Sequence, residues 1–178
     1  MADTGCIYTV AEAPTFQAML LDLRHRPNGF FMSVEQKKAL KLFESKCRER
    51  GLSITPQRIA IFRELISTSE HPSAVSIFKK VRKYYGNISL DTVNRTLLTF
   101  QEIGLAKIVE SSGDPKRFDP NLDPHHHFRC MKCGKIVDFQ NPMYDAIEIP
   151  REIQEKYLVV DKRVYLEGFC EECQNEPS

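Results

Sequence analysis

Two Cys-x-x-Cys pairs, Cys130/Cys133 and Cys170/Cys173, stand 36 residues apart and constrain the last third of the chain. Four thiolates at this spacing suit a tetrahedral Zn²⁺ with no open coordination position. The chain between the pairs can then fold as a domain whose stability comes from the metal. Without such a staple a segment this small buries too little apolar surface to hold together. The rival chemistries fit less well. Disulfides belong to oxidising compartments, and no secretory signal opens the sequence. A thioredoxin-type site uses one pair opening a helix, whereas these pairs flank short strand patterns at residues 127–130 and 136–139. Residues 144–157 have a helical pattern interrupted at Pro150, and residues 158–169 are strand-rich. Of the other two cysteines, Cys47 falls on an apolar helix face, as a small core residue does. Cys6 lies in a leader and has no readable role.

Upstream the pattern is helical. Ser33 and Gln36 have capping-box spacing, Leu40, Phe43 and Cys47 recur on one face, and Gly51 suits the stop. Thr55-Pro56 is a cap followed by proline at the first helical position. It opens a helix with Ile59, Phe62 and Ile66 on its apolar face. His71-Pro72 breaks the chain, and Ser73 caps a third helix carrying Ile77, Val81 and Tyr84. Ser89 caps a fourth with Val93, Leu97 and Phe100 inside, ended by Gly104. Residues 105–110 then alternate like a strand, residues 111–115 are turn chemistry, and residues 116–118 suit a return strand. Helices followed by one hairpin are the layout of a winged helix-turn-helix, whose fourth helix would enter the DNA major groove. An ordinary helical bundle with a trailing hairpin fits the same pattern.

Charge separates these units. The 178-residue chain has net charge +1, which alone argues against nucleic acid. Residues 1–32 carry −1, residues 33–115 carry +5 and residues 116–178 carry −3. A basic middle beside an acidic end implies two units with different partners. The 42% hydrophobic content rules out wholesale disorder. No apolar run approaches the roughly 20 residues that span a bilayer. With no signal or membrane segment, the expected location is cytoplasmic.

A second cluster sits beside the cysteines. In His125-His126-His127, strand alternation points His125 and His127 together and His126 away. With Asp119 and Asp138 they form a mixed nitrogen/oxygen set that suits Fe²⁺, Mn²⁺ or Zn²⁺. Polar residues at a domain junction are the competing explanation.

The chain over residues 33–173 resembles the ferric uptake regulator (Fur) family of metal-dependent bacterial repressors. The resemblance is carried by Thr55-Pro56-Gln57-Arg58, His71-Pro72-Ser73-Ala74, residues 89–104, Arg117-Phe118-Asp119 and residues 125–134. It implies a regulatory Fe²⁺ or Mn²⁺ site at His71, Asp119, His125, His127 and Asp138, and structural Zn²⁺ at Cys130, Cys133, Cys170 and Cys173. Aspartate at position 138, where the iron-sensing branch usually has glutamate, resembles the peroxide-sensing (PerR-like) branch. That likeness implies Fe²⁺-catalysed oxidation of His71 or His125. The family's additional metal site maps near Pro124, His126, Asp145 and Lys162, where proline and lysine cannot ligate, so no second sensory site is expected. The recognition helix departs from the family pattern, with Asn94 in place of a tyrosine. Asn94 suits an adenine edge and Arg95 suits guanine or a phosphate, and Arg58, Ser89 and Thr92 complete the expected DNA contacts.

The expected fold class is α+β: an N-terminal winged helix-turn-helix DNA-binding domain, then a small α/β dimerisation domain with a four-cysteine structural zinc. The expected boundaries are an extension at residues 1–32, the DNA-binding domain at 33–118 and the dimerisation and metal-sensing domain at 119–178. The extension is either an added helix around residues 16–23 or an artefact, with translation starting at Met32. The expected function is a homodimeric, metal-dependent repressor on a palindromic DNA operator, responding to hydrogen peroxide. An iron- or zinc-responsive uptake repressor of the same family is the nearest alternative. A metalloenzyme using the His/Asp site is remote, because no motif positions a nucleophile or general base. A zinc-stapled interaction module is opposed by the +5 segment.

Overall fold

Four serine and threonine caps start the first four helices of the computed structural model, which describes residues 33–109 and 115–175. Helix α1 (Val34–Glu49) opens with a full capping box: Gln36 N–H donates to Ser33 Oγ, and Ser33 N–H donates to Gln36 Oε1, each at 3.1 Å. Beyond its end Gly51 has φ 64°, the left-handed region where glycine carries no Cβ penalty. Helix α2 (Pro56–Ile66) is capped by Thr55, with proline in its first turn. Helix α3 (Ala74–Val81) is capped by Ser73, and α4 (Leu90–Glu102) by Ser89. Gly104, at φ 74°, turns the chain out of α4.

Three phenylalanines from three helices join this unit. Phe43 of α1 stacks on Phe62 of α2 at 4.9 Å, and Phe100 of α4 meets both edge-on at 5.8 and 5.5 Å. Such geometry adds to the area these rings bury. Cys47 is buried in this core, and burial raises its thiol pKa, so it acts as a small apolar residue. The buried face of α2 is wider than the expected one: Ile59 and Phe62 are buried as expected, Ala60, Ile61 and Leu65 join them, and Ile66 is half-buried against the core. Strands β1 (Lys107–Val109) and β2 (Arg117–Asp119) form the expected antiparallel hairpin, with Ile108 opposite Phe118. Most of its turn lies outside the described residues, as do the expected features of the 1–32 leader, Cys6 included.

The second unit is a three-stranded sheet in the order β4-β3-β5. Strand β3 (His126–Cys130) is central, β4 (Ile136–Phe139) pairs with it antiparallel, and β5 (Tyr165–Gly168) pairs with it parallel. The helical pattern over residues 144–157 becomes two single turns, α5 (Pro142–Asp145) and α6 (Arg151–Gln154), which bury no residue. The strand-rich pattern over residues 158–169 yields, among the described residues, one strand, β5, paired to β3. Leu158 and Val160 are left 89% and 88% exposed. A last turn, α7 (Glu171–Gln174), follows β5. No described helix is long and apolar enough to cross a membrane.

Candidate metal centres

The four paired cysteines meet because β5 lies beside β3. Cys130 ends β3, and the turn to β4 is closed by Gly134 N–H to Cys130 O and Cys130 N–H to Lys135 O, both 2.9 Å. Gly134, at φ 70°, allows that tight reversal. Gly168 of β5 is registered against Cys130, which delivers Cys170 and Cys173 to the same corner. All four sulfurs lie within 4.8 Å of one another, with Cys133 and Cys170 at 3.7 Å. Backbone N–H groups, first that of Cys133 and then that of Cys170, draw the Cys130 thiol down to about 6. Burial and the surrounding thiols push Cys173 up to about 12. Four thiols this close cannot all ionise without a cation among them, and a tetrahedral thiolate set fits Zn²⁺.

The second cluster joins the two units. His71, between α2 and α3, is buried and has φ 49°, unusual for a residue bearing a side chain. The following carbonyl, of Pro72, accepts the Phe118 N–H at 3.0 Å, which fastens this corner to β2. Asp119 ends β2, His125 precedes β3, His127 lies on β3, and Asp138 faces His127 across the β3–β4 ladder. One ligand atom from each of His71, Asp119, His125 and His127 lies within 4.8 Å of the others, and all four residues are buried. Asp138, at the rim, brings Oδ1 to 2.9 Å from His71 Nε2 and 3.5 Å from His127 Nε2. The structure thus gathers all five residues, drawn from both units.

The arrangement suits a cation better than an internal network. His125 Nε2 lies 3.0 Å from both Asp119 Oδ2 and His127 Nε2. Despite such approaches, His71 Nε2 and Asp119 Oδ2 are buried without a properly aligned hydrogen bond. Buried polar atoms are seldom left so. His125 Nδ1 lies 2.8 Å from the Asp123 carbonyl, which only accepts, so Nδ1 carries the hydrogen and Nε2 keeps its lone pair for a ligand. Burial lowers the His71 pKa, against the opposing pull of Asp138 and Asp119, and favours the neutral imidazole that a metal needs. Burial pushes Asp119 up, but the nearby His127 ring, the Asn121 N–H at 2.7 Å and the neighbouring His71 and His125 outweigh it, so its pKa is lowered. Imidazole and carboxylate donors fit Fe²⁺, Mn²⁺ or Zn²⁺.

His126 turns to the opposite face, as alternation requires. Its Nδ1 accepts from Val164 N–H at 3.2 Å, and its Nε2 lies 3.3 Å from Asp145 Oδ1. Lys162 Nζ donates to the Asp145 and Ile147 carbonyls at 2.5 Å, placing an ammonium in this neighbourhood. Among the expected DNA contacts, Arg58 Nη1 donates to the Ser53 carbonyl, while Ser89 Oγ is 3.0 Å from Thr92 N–H and 2.9 Å from its hydroxyl. Asn94 is half-buried, and Arg95, 79% exposed, pairs with Asp91 through Nε at 2.9 Å. The carbonyl of Asp123 is a contributor that motif reasoning passed over. For Asp123 the available signal was its position two residues before His125.

A helical unit with a hairpin, a cysteine-stapled α/β unit and a buried His/Asp cluster joining them define a two-domain metal-binding regulator class. The ferric uptake regulator family model matches residues 49–167, and the chain belongs to that family. The peroxide-responsive repressor PerR of Staphylococcus aureus strain Mu50 is 40% identical over 129 residues, covering 72% of this chain and 87% of that protein. Its namesake in Staphylococcus epidermidis strain ATCC 12228 is also 40% identical, covering 72% and 86%. The ferric uptake regulator of Helicobacter pylori shares the fold, with TM-score 0.67 and 22% identity over 80% of this chain and 95% of that one.

Proposed function

We propose that this chain is a homodimeric, metal-dependent DNA-binding repressor that is switched by hydrogen peroxide. The observation that carries the reading is the approach of rim Asp138 to His71 at 2.9 Å, beside the four buried donors His71, Asp119, His125 and His127, with both units contributing. His71 belongs to the helical unit and Asp138 to the sheet, so a cation shared between them clamps one against the other. Pro72 couples that clamp to β2 through its carbonyl, and Ser73, next in sequence, caps α3. A fixed pose of the helical unit in each protomer presents two α4 helices to a palindromic duplex. The 40% identity to proteins named peroxide-responsive repressors supports the peroxide branch, as does aspartate at position 138.

In the proposed site His71, Asp119, His125, His127 and Asp138 hold the regulatory ion, and the four cysteines hold Zn²⁺. Fe²⁺ held there would catalyse two-electron oxidation of an adjacent imidazole, His71 or His125, by hydrogen peroxide, one peroxide oxygen ending on the ring as 2-oxo-histidine and the other as water, whereas Mn²⁺ would support DNA binding without that reaction. The two carboxylates balance the divalent charge, and the three neutral imidazoles set the geometry. Loss of one imidazole donor releases the tie between the units, and with it the DNA. On α4, Thr92, Asn94 and Arg95 face the duplex with Ser89 at the helix start, and Arg58 supports from the start of α2. The exposed Tyr157, Leu158 and Val160 support association of two sheet units, consistent with the family's dimeric regulators.

The test is duplex binding by the Mn²⁺- and Fe²⁺-loaded protein, with and without peroxide. The reading expects both forms to bind and only the Fe²⁺ form to release DNA on peroxide treatment. Metal-dependent binding that ignores peroxide selects a metal-uptake repressor instead.

A further inference from the structure

Between Glu70 and Glu102 the chain carries five lysines and arginines, Lys79, Lys80, Arg82, Lys83 and Arg95, and a single acid, Asp91. That acid stands in the first turn of α4, the helix read above as facing DNA. A carboxylate there repels phosphates and weakens every duplex contact irrespective of sequence. Its position also favours the α4 dipole, a modest effect at an exposed site. Its contact points to a different role. Asp91 Oδ2 lies 2.9 Å from Arg95 Nε, one turn along the same face, with the two side chains 66% and 79% exposed. As a surface ion pair alone this contributes little to stability. The approach is made by Nε, the inner nitrogen of the guanidinium. That leaves the outer edge, with Nη1 and Nη2, for a ligand.

We propose that Asp91 is a positioning residue for base readout: its hold on Arg95 Nε aims the guanidinium's outer edge at a guanine of the operator. A guanidinium donating two parallel hydrogen bonds matches the O6 and N7 acceptors of guanine, which no other base pair presents in the major groove. A free arginine on an exposed helix face is drawn to the nearest phosphate, a contact that carries no sequence information. Asp91, the single acid of this basic segment, removes that choice by holding Arg95 Nε, trading some overall affinity for discrimination. Lys79 and Lys80 on α3, with Arg82 and Lys83 just past its end, supply sequence-independent attraction. The inference rests on the reading of α4 as the DNA-facing helix.

The experiment uses the full-length Mn²⁺-loaded protein and the tightest duplex it selects from a randomised pool. Each guanine of that duplex is replaced in turn by 7-deazaguanine, which lacks the N7 acceptor. The wild type is expected to lose about tenfold in affinity at one symmetry-related guanine pair, and Arg95→Ala to lose that discrimination. Asp91→Ala should lower discrimination at the same guanine severalfold while binding random-sequence duplex as well as the wild type or better. In the Arg95→Ala background, Asp91→Ala should change discrimination no further. Wild-type discrimination in Asp91→Ala, or an additional loss in the double variant, overturns the positioning role and leaves the repressor reading intact. Failure of the wild type to bind any duplex with Mn²⁺ overturns the repressor reading and this inference together.

Discussion

His71 shows how much one residue can carry. It is buried, lies in the left-handed region of backbone space, and comes within 2.9 Å of a carboxylate in the other unit. Backbone strain of this kind persists where the surroundings over-determine it, at a cost of about 1–3 kcal/mol. His71→Ala is expected to keep the four-cysteine zinc and the fold while losing regulatory Fe²⁺ or Mn²⁺ affinity by more than about tenfold. Metal counts with binding isotherms check both halves. A pH dependence follows as well. Burial holds the folded His71 pKa below the ordinary value of 6.5. On acidification the unfolded chain therefore takes up a proton before the folded one does. In protein stripped of the regulatory metal, this contribution to stability is whole above about pH 6.5. It is lost as pH falls from there through the lowered folded value, which urea midpoints across that range will report. The cysteines were legible from spacing and the His125/His127 pair from alternation. His71 was not readable from local pattern, because its partners lie far along the chain and only the family resemblance pointed to it.

At the level of elements, the division between what sequence shows and what it hides follows the range of the interactions. Ser33, Thr55, Ser73 and Ser89 cap their helices through bonds three residues away, so α1 to α4 were readable from local signals. Strand β5 depends on β3, some 38 residues earlier in register, and a parallel pairing of that separation leaves no local mark. The same reason limits the strand-rich pattern over residues 158–169. Its first apolar residues meet no strand among the described residues, and we place them on the proposed dimer face. Two substitutions test the helical unit. Phe62→Ala removes one ring of the Phe43/Phe62/Phe100 core and should cost about 3–5 kcal/mol in urea unfolding. Ser89→Ala removes the α4 cap and should cost about 1 kcal/mol. A Ser89→Ala variant with unchanged stability and weakened duplex binding would assign its hydroxyl to DNA rather than to the helix.

For the whole molecule, the near-zero charge is a cancellation. A +5 helical unit suited to a polyanion is joined to an acidic sheet unit, and the His/Asp cluster lies at the joint. The two units differ in what holds them. The helical one has an aromatic core of its own, whereas the short strands and single-turn helices of the other depend on the cysteine corner. Strong chelation is therefore expected to collapse the sheet unit and the dimer while α1 to α4 keep their helical signal, measurable by circular dichroism with sedimentation. The central claim is that the joint is where peroxide acts. Anaerobic Fe²⁺-loaded protein, bound to its duplex and treated with hydrogen peroxide, should gain one oxygen on the peptide carrying His71 or His125 as the DNA is released. Oxygen found only on cysteine or methionine, or release without any histidine oxidation, would contradict the account.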